Sequence, residues 1–255
     1  MLPVIVSNCR RFSSDAVARR ARMASRMVAR GLIACLIIPL TANSKDEKKP
    51  GEWVLIDRRG AAQIYNFYET ADDDVPKYKI EGLMRVPYDA AVDIIWDADY
   101  EYPDFISDWM ISAKRVSDPD QPRRDLYLYD VPKFARIAAR FGSMFRATLG
   151  RYQYTTMELK KEADEALTRI TWTRFPTPDD HKPERKNAYE VIRNNGYWEL
   201  SPLSDEITRY TYMLDGYPGG ANVPHWIVRW GNKIGLGFGS AIEARYRALQ
   251  EAGRH

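Results

Sequence analysis

Cysteine is nearly missing from this sequence, and histidine is scarce. Both cysteines, Cys9 and Cys35, lie within the first 44 of the 255 residues. The residues that follow contain none, so disulfides, cysteine-zinc sites, iron–sulfur clusters and cysteine nucleophiles are excluded from them. The three histidines are His181, His225 and His255. A three-histidine metal site would need all of them, the last residue included, and no metal is expected. An acidic stretch, Asp97-Ala-Asp-Tyr-Glu101 with Asp104 and Asp108, invites a calcium reading. It has Tyr102 where an EF-hand loop needs Gly and Asp108 where it needs Glu, so a solvated loop is the better account. Nucleophile elbows, P-loops and dinucleotide loops are absent as well. Gly235-Leu-Gly-Phe-Gly239 lacks both the spacing and the preceding strand of a dinucleotide site. No catalytic residue and no cofactor are assigned. His225, in the first turn of a helix, reads as a capping or packing residue, because positive charge is disfavoured there.

Charge is low and unevenly spread. The whole chain carries +3, yet residues 1–44 hold seven Arg and a single acid, Asp15, for +6. Residues 45–255 therefore carry −3, which argues against nucleic acid as a partner. Within the leader, Gly31–Leu40 is an apolar run of ten residues, about half of what a membrane-spanning helix requires. Arg26 and Arg30 precede it, and Ala42-Asn-Ser44 follows. Basic, then apolar, then small is the pattern of a secretory signal peptide. A lipoprotein box at Leu32–Cys35, an organellar transit peptide and a short retained anchor compete with it. We expect residues 1–44 to be a signal peptide or targeting leader, cleaved near Ser44 on export to the periplasm or exterior.

Residues 45–50 read as a charged linker and 51–252 as a single domain. Strand patterns cover 52–58, 61–69, 77–85, 109–116, 125–131, 151–160, 167–175, 187–200 and 206–217. Helical spacing marks 88–96 after Pro87, 134–145, and one long helix from Val223 to about Glu251 that starts at Pro224. About nine antiparallel strands with a long C-terminal helix make an α+β domain, in which the helix covers one face of the sheet.

Strand 125–131 alternates, with Leu126, Leu128 and Asp130 on one face and Tyr127 and Tyr129 on the other. Leucine is buried more often than tyrosine, so the Leu126–Leu128–Asp130 face is expected inward. An inward Asp130 would need a partner, Arg151 or Arg209, and could take a ligand hydroxyl; equally, Asp130 simply ends the strand. Tyr152 and Tyr154, with Tyr210 and Tyr212, add aromatic surface that suits an apolar pocket or plain cross-strand packing. In the C-terminal helix Ile227, Trp230, Ile234, Phe238 and Ala241 share a face. Gly231, Gly235, Gly237 and Gly239 weaken that helix by about 1 kcal/mol each. Either something approaches closely, or the helix opens as a gate. On the gate reading, alanine at 235 and 239 stabilises the helix and slows ligand exchange.

Several phrases, in order, resemble START (StAR-related lipid-transfer) domains of the Bet v 1-like superfamily. Trp53–Gly60 with Ile64-Tyr65 resembles the opening hairpin. Tyr78–Gly82 with Val86-Pro-Tyr-Asp89 resembles the strand-to-helix entry. Gly196–Pro202 with Thr208–Leu214 resembles the last hairpin, and Pro218–Trp226 the turn into the closing helix. The sequence departs from the pattern at Arg151-Tyr-Gln153, where many members show Arg-Asp-Phe. The resemblance implies a helix-grip fold, a curved antiparallel sheet wrapped around the C-terminal helix with a tunnel between them. It implies non-catalytic binding and intermembrane transfer of a lipid or sterol by a monomer that touches membranes transiently. The alternative is a cyclase- or hydrolase-like enzyme of the same superfamily. The ligand contacts expected on this basis are Leu126, Leu128, Asp130, Arg151, Ile227, Trp230, Ile234 and Phe238. The loop at 176–186 is expected at the mouth.

Overall fold

The computed structural model describes residues 48–96, 110–129, 152–185, 188–217 and 233–253. The expectations for 1–44 and 134–145, and for Asp97–Asp108, Asp130, Arg151, His225, Ile227, Trp230 and Gly231, lie outside these residues, as does the side chain of Ile234.

The strands among the described residues are β1 (Trp53–Arg59), β2 (Ala62–Phe67), β3 (Lys77–Met84), β4 (Met110–Arg115), β5 (Arg124–Tyr129), β6 (Tyr152–Ala163), β7 (Thr168–Phe175), β8 (Ala188–Glu190), β9 (Arg193–Ser204) and β10 (Ile207–Tyr217). They form one sheet in the order β1-β2-β3-β10-β9-β7-β6-β5-β4, antiparallel throughout, with β8 added in parallel beside β6. Helix α1 (Tyr88–Trp96) follows β3, and α2 (Phe238–Glu251) closes the chain after a 3-10 turn at Lys233–Gly237. This is a helix-grip α+β fold, an antiparallel sheet with the C-terminal helix packed on one face.

The inner face of the sheet follows from alternation and register. β2 and β3 bury every second residue. Ile64 stands opposite Ile80, Ile80 opposite Tyr212, and Tyr212 opposite Trp198, so these four share a face. Pro87 pre-sets the turn before α1, and Asp89 complements the dipole of its first turn. The helix lays Ala91, Val92, Ile94 and Ile95 on the sheet beside Ile80, Met84, Leu200 and, from α2, Ile242. Ile80, Met84 and Leu200 are fully buried, worth about 1.5–3 kcal/mol each over exposure. Two polar links pin α1: the Tyr88 hydroxyl meets Thr168 Oγ1 at 2.7 Å, and Thr208 Oγ1 donates to the Val86 carbonyl at 2.8 Å.

Helix α2 is held by Tyr210. No side chain caps its N-terminus. Instead the Tyr210 hydroxyl accepts a hydrogen bond from the Gly239 backbone N–H, one of the donors a first turn leaves unmet. The ring fits because its neighbours lack a Cβ. One placed on Gly82 would lie 2.6 Å from the ring, and one on Gly239 would lie 3.1 Å from Cε1. Farther along, Glu243 Oε1 accepts the Arg85 N–H at 2.8 Å and ties the helix to the end of β3.

Two expectations are corrected here. The segment 187–200 is two strands, because β8 leaves the β9 path to pair with β6 and Ile192, 59% exposed, marks the break. The long C-terminal helix is not α-helical at Lys233–Gly237, where glycines at 235 and 237 weaken an α-helix and a 3-10 turn of the kind common at helix ends leads into α2. The described glycines do not act alike. A Cβ on Gly235 would collide with Ile80 Cδ1, whereas one on Gly237 would meet nothing within 4 Å. Gly237 has φ −91° and ψ −6°, which any residue can adopt. Gly237→Ala is therefore expected to stabilise the chain by about 0.4–1 kcal/mol through the unfolded state, read as a higher midpoint in urea. A drop in the midpoint would refute this.

Candidate functional site: the aromatic inner face

The inner face carries aromatic side chains from five strands and α2. Tyr212 sits at the centre. Its ring lies 4.8 Å from Trp198, 5.5 Å from Trp172, 5.9 Å from Tyr78 and 4.9 Å from Phe238, the last edge-on. Tyr127 and Met157 join Trp172 in a second buried cluster, against which Tyr129, Leu159 and Leu214 pack. Tyr127 and Tyr129 stack at 6.3 Å. Phe238, expected from sequence, contributes here as the first residue of α2. Trp172, Trp198 and Met157 were not singled out, and Tyr127 and Tyr129 were expected on the outward face, although Tyr212 was noted as aromatic surface.

The orientation expected for β5 is reversed. Asp125 and Tyr127 are buried, whereas Leu126 and Leu128 are only half-buried. Asp125 stands opposite Met157 and Tyr127 opposite Thr155, on the face that carries Trp172 and Tyr212. Leu126 and Leu128 stand opposite Thr156 and Tyr154 on the other face. Tyr154 therefore does not share a face with Tyr210 and Tyr212, and the Tyr152 ring lies 4.1 Å from the Arg185 guanidinium. Arg209 is exposed and could not serve an inward carboxylate. The described part of the 176–186 loop is tied through Thr177 to Thr156, 3.0 Å apart, on the Leu126 face.

The reversal has a physical cause, a buried ion pair. Arg123 Nε donates to Asp125 Oδ2 at 2.9 Å, with Arg123 8% and Asp125 0% exposed. Arg123 Nη1 donates to the Trp96 carbonyl at 2.6 Å, and the guanidinium lies 4.4 Å from the Trp96 ring. One cation thus serves a carboxylate and the C-terminal end of α1, whose last turn has no basic residue. The Tyr127 hydroxyl donates to the same Asp125 oxygen at 3.3 Å. Burial pushes the Asp125 carboxyl above its ordinary range, although Arg123 and Tyr127 pull it down. Burial also raises the tyrosine hydroxyls of this face: Tyr78, Tyr127, Tyr129 and Tyr212 all hold their protons more tightly than in water. At neutral pH they are neutral donors, and the hydroxyls of Tyr78 and Tyr212 bond each other.

A cleft of about 400 Å³ lies at the ends of β2, β3, β9 and β10, lined by Phe67, Asp73, Val75, Ile192, Arg193 and Tyr217. Its charges are internally matched. Asp73 accepts the backbone N–H groups of Glu69 and Thr70, Lys77 pairs with Glu69, and Arg193 with Asp215 at 2.7 Å. Phe67, Lys77 and Arg193 alternate with inner-face residues, so this cleft is separate from the aromatic face.

The fold is similar to that of START domains of known structure. Human STARD10 superposes with a TM-score of 0.61 at 15% identity, over 82% of this chain and 79% of that one. Human StAR-related lipid transfer protein 5 gives 0.60 at 9% identity, over 91% and 99%. A STAR-related lipid transfer protein from Xanthomonas axonopodis gives 0.56 at 16%, over 76% and 98%. No protein-family model and no curated protein matches the sequence. The likeness is one of fold.

Proposed function

We propose that the chain binds one hydrophobic molecule, a lipid or sterol, against its aromatic inner face and carries it between membranes. The observation that supports this most is the continuous surface made by Tyr78, Trp172, Trp198, Tyr212 and Phe238, which joins sheet to C-terminal helix. Aromatic walls with a few buried polar groups suit apolar ligands. Apolar burial at about 25 cal/mol per Å² would drive uptake, and the polar groups would orient the guest. Two of the proteins with a similar fold are StAR-related lipid transfer proteins. We further propose that residues 1–44 direct export and are removed, on the strength of their basic, apolar and small segments in that order.

Native mass spectrometry of the protein recovered from its own host tests both ideas. We expect a one-to-one complex with an extractable lipid or sterol, on a chain whose mass lacks the first 44 residues or so. A full-length mass would refute cleavage. An empty protein that also fails to take up a lipid panel would refute the carrier reading. An enzymatic reading has one observation in its favour, the Asp125–Tyr127 contact on the same face, and recovery of a chemically altered guest would support it.

A further inference from the structure

The edge strand β1 carries exposed apolar surface. Trp53 is 38% and Leu55 39% exposed. Their register partners on β2 are Phe67 and Tyr65, so all four share the outer face of the sheet. The rings of Trp53 and Phe67 lie 5.2 Å apart, and Lys79 Nζ stands over both Trp53 and Tyr65, at 5.1 and 4.9 Å. Among the described strands β1 pairs with β2 alone, which leaves its other side as a row of backbone donors and acceptors. Tryptophan and leucine exposed beside an open edge make a surface that a partner would cover.

The charges of this edge narrow what the partner can be. Glu52 precedes the strand, and Arg58 and Arg59 end it. All three are exposed, and among the described residues their side chains form no ion pair. Within one copy Glu52 and Arg58 stand about 20 Å apart along the strand, too far to meet. A second β1 running antiparallel reverses the order. Glu52 of each copy then faces Arg58 and Arg59 of the other, and both ends are matched at once. The two-fold axis passes near Leu55-Ile56, at the irregularity between Leu55 and Asp57 that bends the strand, so the two bends coincide. It also gathers Trp53 and Leu55 of both copies into one apolar band. A partner of uniform charge would suit one end of β1 and clash with the other, whereas an identical strand suits both. We infer that β1 is a self-association edge through which two copies form an isologous dimer. The monomer implied by the START resemblance then holds only in dilute solution.

Sedimentation equilibrium of the full chain over a dilution series tests this. The native chain is expected to reach twice its monomer mass by about 100 µM, as a small interface allows. Glu52→Arg sets like charges together at both contacts, and so does the pair Arg58→Glu, Arg59→Glu. Each of these chains alone is expected to dimerise about tenfold more weakly, or worse. Mixed one to one they should dimerise again, because both contacts are then of opposite sign. A native chain that stays monomeric throughout would overturn the inference. A dimer indifferent to either change would do the same, since association through any other surface, the leader included, does not read these charges. So would a mixture that fails to pair. Should one variant not fold by circular dichroism, the loss in the other decides. The carrier reading concerns the opposite face of the sheet and stands or falls separately.

Discussion

Replacing Arg123 with alanine is expected to cost about 3–5 kcal/mol of stability, the typical penalty for leaving a buried charge without its partner. Asp125 would keep its 0% exposure and lose the guanidinium at 2.9 Å. The α1 carbonyl at Trp96 would lose its cation in the same step. Urea unfolding monitored by circular dichroism measures the loss. The double variant Arg123→Met, Asp125→Leu is expected to recover most of it, since the buried charge is then gone rather than orphaned. A single variant within about 1 kcal/mol of the native chain would show the pair to be wet or mobile. The pH dependence has a definite sign. Asp125 holds its proton more tightly in the folded chain than the ordinary carboxylate value of about 3.9 allows. Its ionisation therefore costs stability as pH rises through that value to the folded one, and costs nothing below it. Removing Arg123 removes a charge that pulls the folded value down, so the penalty of Arg123→Ala should shrink towards acid pH.

The second large effect concerns Gly235. Alanine there drives a methyl into Ile80 Cδ1, and Ile80 is fully buried. Overpacking of this kind costs about 1–3 kcal/mol. Ile80→Val deletes the offending methyl and by itself costs about 0.5–1.5 kcal/mol. The two together are expected to be less damaging than their sum by at least 0.5 kcal/mol, the coupling that contact between residues produces. Strict additivity would mean that the turn, rather than Ile80, gives way. This result would also dispose of the gate reading at 235, on which alanine stabilises.

The strands along the chain were legible where alternation is clear, as in β2, β3 and most of β7, and α1 because Pro87 and the apolar spacing after it both mark its bounds. The break at Val191-Ile192 was not, since both residues are apolar and only the parallel pairing of β8 with β6 separates them. The facing of β5 was misjudged by ranking leucine above tyrosine. The deciding feature was upstream. Arg123-x-Asp125 puts opposite charges on one face of a strand, and a buried pair fixes that face more firmly than the preference of two leucines. The aromatic site was half visible. Tyr210 and Tyr212 were noticed, but Trp172 and Trp198 join them only through the registers of β7, β9 and β10.

The strand order also bears on how the chain reaches its fold. β1, β2 and β3 are sequential neighbours, yet β3 finds its other partner only in β10, Thr208 against Met84 and Leu214 against Tyr78. Until the last strands are made, β3 keeps an open edge and α1 lacks Leu200 and Tyr210 to cover it. Such long-range closure slows folding and leaves a pairing edge exposed meanwhile. A nascent chain stalled before residue 207 is therefore a species that chaperones would need to hold.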